Sequence, residues 1–96
     1  MKKLEIYTWS WCPYCRAAKS LLGKKGVSYE EYDATDKTVA AAMQKRAGGR
    51  TSVPQIFIDD QHVGGYDDIA ALEKAGKLDA MLFGDAADDA SAQAAG

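Results

Sequence analysis

Ninety-six residues with twelve Lys and Arg against fourteen Asp and Glu make one small, near-neutral domain, long enough for a single core and little else. No basic stripe runs along the chain, which excludes a nucleic-acid partner, and no apolar run approaches the ~20 residues of a bilayer span. Two cysteines and one histidine fall short of the four ligands a structural zinc needs, so no metal is expected.

Met1-Lys2-Lys3 opens the chain with basic character, but Glu5 and the polar residues after it interrupt any export-signal core. A cytoplasmic setting is therefore expected, and in a reducing compartment a lone cysteine pair is more often catalytic than a structural staple. Residues 3–8 alternate, Leu4 and Ile6 against Glu5 and Tyr7, and read as a first strand. Cys12-Pro13-Tyr14-Cys15 follows, at the seam with a helix expected over 13–24. Proline suits the first helical position, where its missing N–H costs nothing. That puts the Cys12 sulfur at the helix N-terminus, where unpaired amides and the positive end of the dipole favour a thiolate. Cys15 shares the inner stripe with Ala18 and Leu22 and is expected to be the more buried of the two. The pair reads as an attacking thiol with a resolving thiol behind it.

Gly26 stops this helix, and Val27 to Tyr32 alternate as a second strand. A strand, a helix of about a dozen residues and a strand make the pattern of a parallel pair. Thr35 or Asp36 caps a second helix through about Ala47, with Val39 and Met43 on its inner face. Gly48-Gly49 ends it. Gln55 to Ile58 is a third strand after Val53-Pro54, and a turn at 59–61 leads to a short fourth strand at His62-Val63, broken by Gly64-Gly65. Asp67 or Asp68 caps a third helix with Ile69 and Leu72 inward, stopped at Gly76, and Leu78 to Phe83 is a last helical turn. The expected order is βαβαββα, an α/β domain over 1–84. Residues 85–96, rich in Ala and Asp, cannot bury enough apolar surface to offset their ordering and are expected to be a disordered or frayed tail.

Three stretches, Cys12-Pro13-Tyr14-Cys15, Ser52-Val53-Pro54-Gln55-Ile56-Phe57-Ile58 and Gly64-Gly65-Tyr66-Asp67-Asp68, together resemble the short bacterial dithiol glutaredoxins. The resemblance runs from about Leu4 to Leu82. It implies a thioredoxin-like fold, a four-stranded mixed sheet flanked by helices. It also implies glutathione-dependent reduction of protein disulfides and protein–glutathione mixed disulfides, glutathione being the reducing co-substrate. Carried over residue by residue, Cys12 is the nucleophile and Cys15 the resolving thiol. The bond before Pro54 is expected to be cis, with Val53 pairing its main chain with glutathione like an added strand beside Ser52. Asp67 and Asp68 open a helix that holds the γ-glutamyl end, and Tyr14 contacts the tripeptide. Trp9 stands where many members have lysine; it can pack on a substrate but supplies no charge for the glycine carboxylate. Arg16, Lys37 and Arg50 are the candidates to supply it.

The expected partners are glutathione and disulfide-bearing or glutathionylated proteins, ribonucleotide reductase among them, with the protein acting as a monomer away from membranes. Three other readings compete: an iron–sulfur carrier built on Cys12 and glutathione, a thioredoxin-like donor reduced by a flavoprotein reductase, and a non-catalytic binding module. Pro13 disfavours the first, the Asp67-Asp68 pair the second, and the cysteine pair the third. His62, far along the chain from Cys12, has no positioned partner in the sequence and is not assigned a catalytic role.

Overall fold

The structure, a computed structural model, describes residues 3–83. The stretch expected to form a tail, 85–96, lies outside the described residues. In chain order the elements are β1 (Leu4–Thr8), α1 (Pro13–Lys24), β2 (Glu30–Asp33), α2 (Lys37–Arg46), β3 (Gln55–Ile58), β4 (Gln61–Gly64), α3 (Tyr66–Lys74) and α4 (Leu78–Phe83). The sheet runs in the order β2-β1-β3-β4. β1 pairs β2 in parallel and β3 antiparallel, and β3 pairs β4 antiparallel. This is the mixed four-stranded sheet expected.

Helices cover the sheet on both faces, so its central strands are buried throughout. The alternation in β1 and β3 divides their side chains between two cores. Leu4, Ile6, Ile56 and Ile58 meet Ala18 and Leu22 of α1, Ile69 of α3 and Leu78 and Leu82 of α4. Tyr7 and Phe57 point the other way, against Met43 and Ala47 at the end of α2. Each fully buried side chain of this size contributes about 1.5–3 kcal/mol. On the second face Glu5, almost wholly buried, accepts two bonds from the Arg46 guanidinium and one from the Tyr32 hydroxyl.

Several boundaries differ from the sequence reading, β4 among them, which runs over Gln61–Gly64 and not His62-Val63 alone. The second strand begins at Glu30 rather than Val27, because the parallel ladder with β1 starts at Glu5↔Glu30. Val27 is buried by packing alone. The third helix is capped by Gly65, with Asp67 and Asp68 inside its first turn. Asp68 reaches back instead, its carboxylate accepting the Gly65 N–H at 2.8 Å. At the β3–β4 turn Asp59 and Asp60 both take positive φ, 51° and 68°, as a two-residue hairpin of the right twist requires. The pairing then slips between Ile56 and Phe57, opposite Gly64 and His62.

Candidate active site

Cys12 is the N-cap of α1, extended at φ −92° and ψ 118°, and Pro13 occupies the first turn. Its Sγ takes the place of the usual capping oxygen and accepts the Cys15 N–H at 3.2 Å. A thiolate here replaces an orphan-amide penalty with a charge-assisted bond and faces the positive end of the helix. Cys15 lies deeper, 1% exposed against 9% for Cys12. Burial, then the contact with Cys12, pushes the Cys15 thiol up to about 12. Both thiols are free. The outer sulfur therefore sits against a helix amide under thin cover, and the inner one is kept protonated behind it.

Beside this helix start is a groove of about 220 Å³ lined by Tyr14, Arg50, Ser52, Val53, Pro54, Gly65, Tyr66, Asp67 and Asp68. Of the residues expected to bind glutathione, the fold brings Tyr14, Ser52, Val53, Pro54, Asp67 and Asp68 together here from three separate segments. The Val53–Pro54 peptide bond is cis. Among the described residues, neither the N–H nor the C=O of Val53 has a main-chain partner, so the backbone of this residue is open to a visitor. Pro54, with no N–H, closes nothing across it. The far wall is the first turn of α3, whose leading amides have no intrahelical acceptors and suit a carboxylate. Asp68 is engaged by Gly65 and lies 3.7 Å from Arg50 Nη1. Asp67 is exposed. The rings of Tyr14 and Tyr66 flank the groove with centroids 6.3 Å apart.

Trp9 is not among the lining residues. It is half-buried, packs against the second core and sits 5.8 Å from the Trp11 ring. Of the three basic candidates named from sequence, only Arg50 lines the groove. Its position two residues before Ser52 was the available signal. Sequence reading takes Gln55 only as a strand residue and leaves His62 without a role. Gln55, fully buried, donates to the Ser52 carbonyl and hydroxyl at 3.0 and 3.2 Å, and its Oε1 meets His62 Nε2 at 2.7 Å. Among the described residues no group of three or more His, Cys, Asp or Glu gathers as a metal site, and no helix is long and apolar enough to cross a membrane.

A sulfur-capped helix next to a cis-proline loop, on a four-stranded mixed sheet, defines a thiol–disulfide oxidoreductase of the thioredoxin-like fold. The family model for glutaredoxins matches residues 4–63. A probable glutaredoxin of Synechocystis sp. is 58% identical over 81 residues, covering 83% of this chain and 92% of its own. The solution structure of a glutaredoxin from Brucella melitensis superposes with a TM-score of 0.77 at 49% identity, over 88% of this chain and 91% of the other. A buckwheat glutaredoxin–glutathione complex gives a TM-score of 0.78 at 28% identity, over 85% and 77%. This chain belongs to the glutaredoxin family.

Proposed function

We propose that the protein uses glutathione to reduce protein–glutathione mixed disulfides and protein disulfides. The observation that carries this reading is the open Val53 backbone facing a helix N-terminus across one groove, next to a capped thiol. A γ-linked tripeptide has matching parts: a peptide unit to pair with Val53, and a γ-glutamyl end whose carboxylate meets the α3 amides and whose ammonium meets Asp67. Arg50 supplies the positive charge for the glycine carboxylate that Trp9 cannot. In the buckwheat relative the crystallised partner is glutathione itself.

The Cys12 thiolate attacks the glutathione sulfur of the mixed disulfide. That S–S bond breaks, the protein thiolate leaves and takes a proton from water, and Cys12 becomes glutathionylated. A second glutathione thiolate attacks the bound glutathione sulfur, releasing oxidised glutathione and restoring Cys12. With a protein disulfide, Cys12 forms a mixed disulfide with the client, and Cys15 loses its proton as it attacks the Cys12 sulfur. The Cys12–client S–S bond breaks, the client's second thiolate leaves and takes a proton, and a Cys12–Cys15 bridge remains, which two glutathiones reduce. The chemistry needs a reduced glutathione pool, hence a reducing compartment such as the cytoplasm. The test is glutathione-dependent release of thiol from a glutathionylated peptide. Turnover with glutathione and none with a thioredoxin reductase supports the reading, and the reverse pattern rejects it.

A further inference from the structure

His62 has no part in the chemistry above, yet it makes a 2.7 Å hydrogen bond to the most buried polar side chain of the sheet. Gln55 has no solvent to fall back on, so its oxygen and both amide hydrogens need partners within the protein. Both hydrogens go to Ser52. The oxygen therefore faces the ring, and His62 carries its hydrogen on Nε2, an assignment set by the network. The Phe57 ring lies against the imidazole, with centroids 5.0 Å apart and planes tilted by 33°. Burial first, and then the Arg50 charge, hold the imidazole below its ordinary value, with Asp68 opposing, so the ring is neutral at neutral pH.

We propose that His62 is a positioning residue for the substrate groove: by donating to Gln55 it fixes which way that amide points, and the amide holds Ser52 and with it the open main chain of Val53. The inference rests on the reading of that groove as a glutathione site. Without the imidazole donor, the Gln55 oxygen is buried and unmatched. The two bonds to Ser52 still favour the present orientation, but the unmatched buried oxygen makes it costlier to keep, and the amide is drawn away from Ser52. The loop carrying Val53 loses its anchor, while Cys12, on another element, keeps its own.

The experiment compares one peptide carrying either glutathione or mercaptoethanol in disulfide linkage; mercaptoethanol has no main chain to pair with Val53. In His62→Leu, kcat/KM for the glutathionylated peptide is expected to fall about three- to tenfold, the worth of one neutral hydrogen bond. The loss should sit in KM. The mercaptoethanol peptide and the alkylation rate of Cys12 should hold steady. His62→Gln, whose longer amide can reach the Nε2 position, should recover most of the loss. Should His62→Leu fail to fold, His62→Asn serves, because its shorter amide leaves Gln55 without the donor. An undiminished preference for glutathione in the variants, or an equal loss on both peptides, overturns the positioning role. A wild-type protein with no preference between the peptides overturns the groove assignment itself, and is told apart because it needs no variant.

Discussion

The backbone N–H of Cys15 points at the sulfur of Cys12 across 3.2 Å, so the inner residue supports the outer one through its main chain while its own thiol stays buried. The two roles are separable by substitution. Cys15→Ser preserves the amide and should keep deglutathionylation while losing reduction of protein disulfides. Cys12→Ser should abolish both. Loss of both activities in Cys15→Ser, measured on a glutathionylated peptide and an insulin-type disulfide, would refute the monothiol route.

The same geometry predicts unequal thiols. With Cys15 pushed up to about 12, chiefly by burial, its thiolate is scarce at pH 8. Iodoacetamide should therefore label the native chain once, at Cys12, and label Cys12→Ser hardly at all until it is unfolded. Mass spectrometry of labelled peptides reads this directly, and rapid double labelling of the native chain would contradict it.

Arg50 is the one of the three basic residues considered from sequence that lines the groove. Arg50 is half-exposed and 3.7 Å from Asp68, so its contribution is that of a screened surface charge. Arg50→Gln should raise KM for the glutathionylated peptide about two- to fivefold at low salt, the scale of an exposed ion pair, and less as salt is added. Trp9→Lys in the Arg50→Gln background should restore part of the loss. Equal KM values at all salt concentrations would remove Arg50 from the site.

Acid stability is expected to depend on Glu5. The Arg46 guanidinium, above all, holds this buried carboxyl below its usual 4.5. A carboxylate with a depressed folded value stabilises the fold fully above its unfolded value, and the contribution is lost as pH falls through the folded one. The window lies below pH 4.5. Glu5→Gln should cost about 2 kcal/mol at pH 7, the range of hydrogen bonds to a charged group, or roughly 8–16 °C in Tm for a domain this small. The variant's stability should also vary less with pH below that point. Parallel acid-denaturation curves for the two proteins would show the pair to be inert.

Most of the architecture could be read from periodicity and punctuation, since β1, α1, β3 and α4 begin and end where Leu4, Pro13, Gln55 and Leu78 suggest. β2 was misread because Val27 and Tyr29 alternate like a strand, and only the register with β1 shows that no partner faces them. The cysteines and the Val53-Pro54 loop carried local signatures. The Gln55–His62 bond did not, because it depends on how one hairpin arm crosses the other at a register slip, and Arg50 could be chosen among the basic candidates only once the α2–β3 loop met α3. The cap of α3 went to Gly65, since Asp68 satisfies the same N–H from three residues on.

That cap yields the last prediction. Gly64 sits at φ +129°, and a Cβ built there falls on the Asp68 carboxylate. Alanine at this position meets two penalties, a backbone conformation that costs about 1–3 kcal/mol outside glycine and the displacement of Asp68 from Gly65, worth about 1 kcal/mol as a lost cap. Gly64→Ala should lower Tm and raise KM for the glutathionylated peptide together, because the displaced turn is the groove's far wall. Gly23→Ala in α1 provides the opposite sign. Nothing lies within 4 Å of its Cβ, and relief of glycine's entropy in a helix should add about 0.5–1 kcal/mol. If Gly64→Ala were as stable as Gly23→Ala and bound substrate as well, Asp68 would not be held in the way the groove requires.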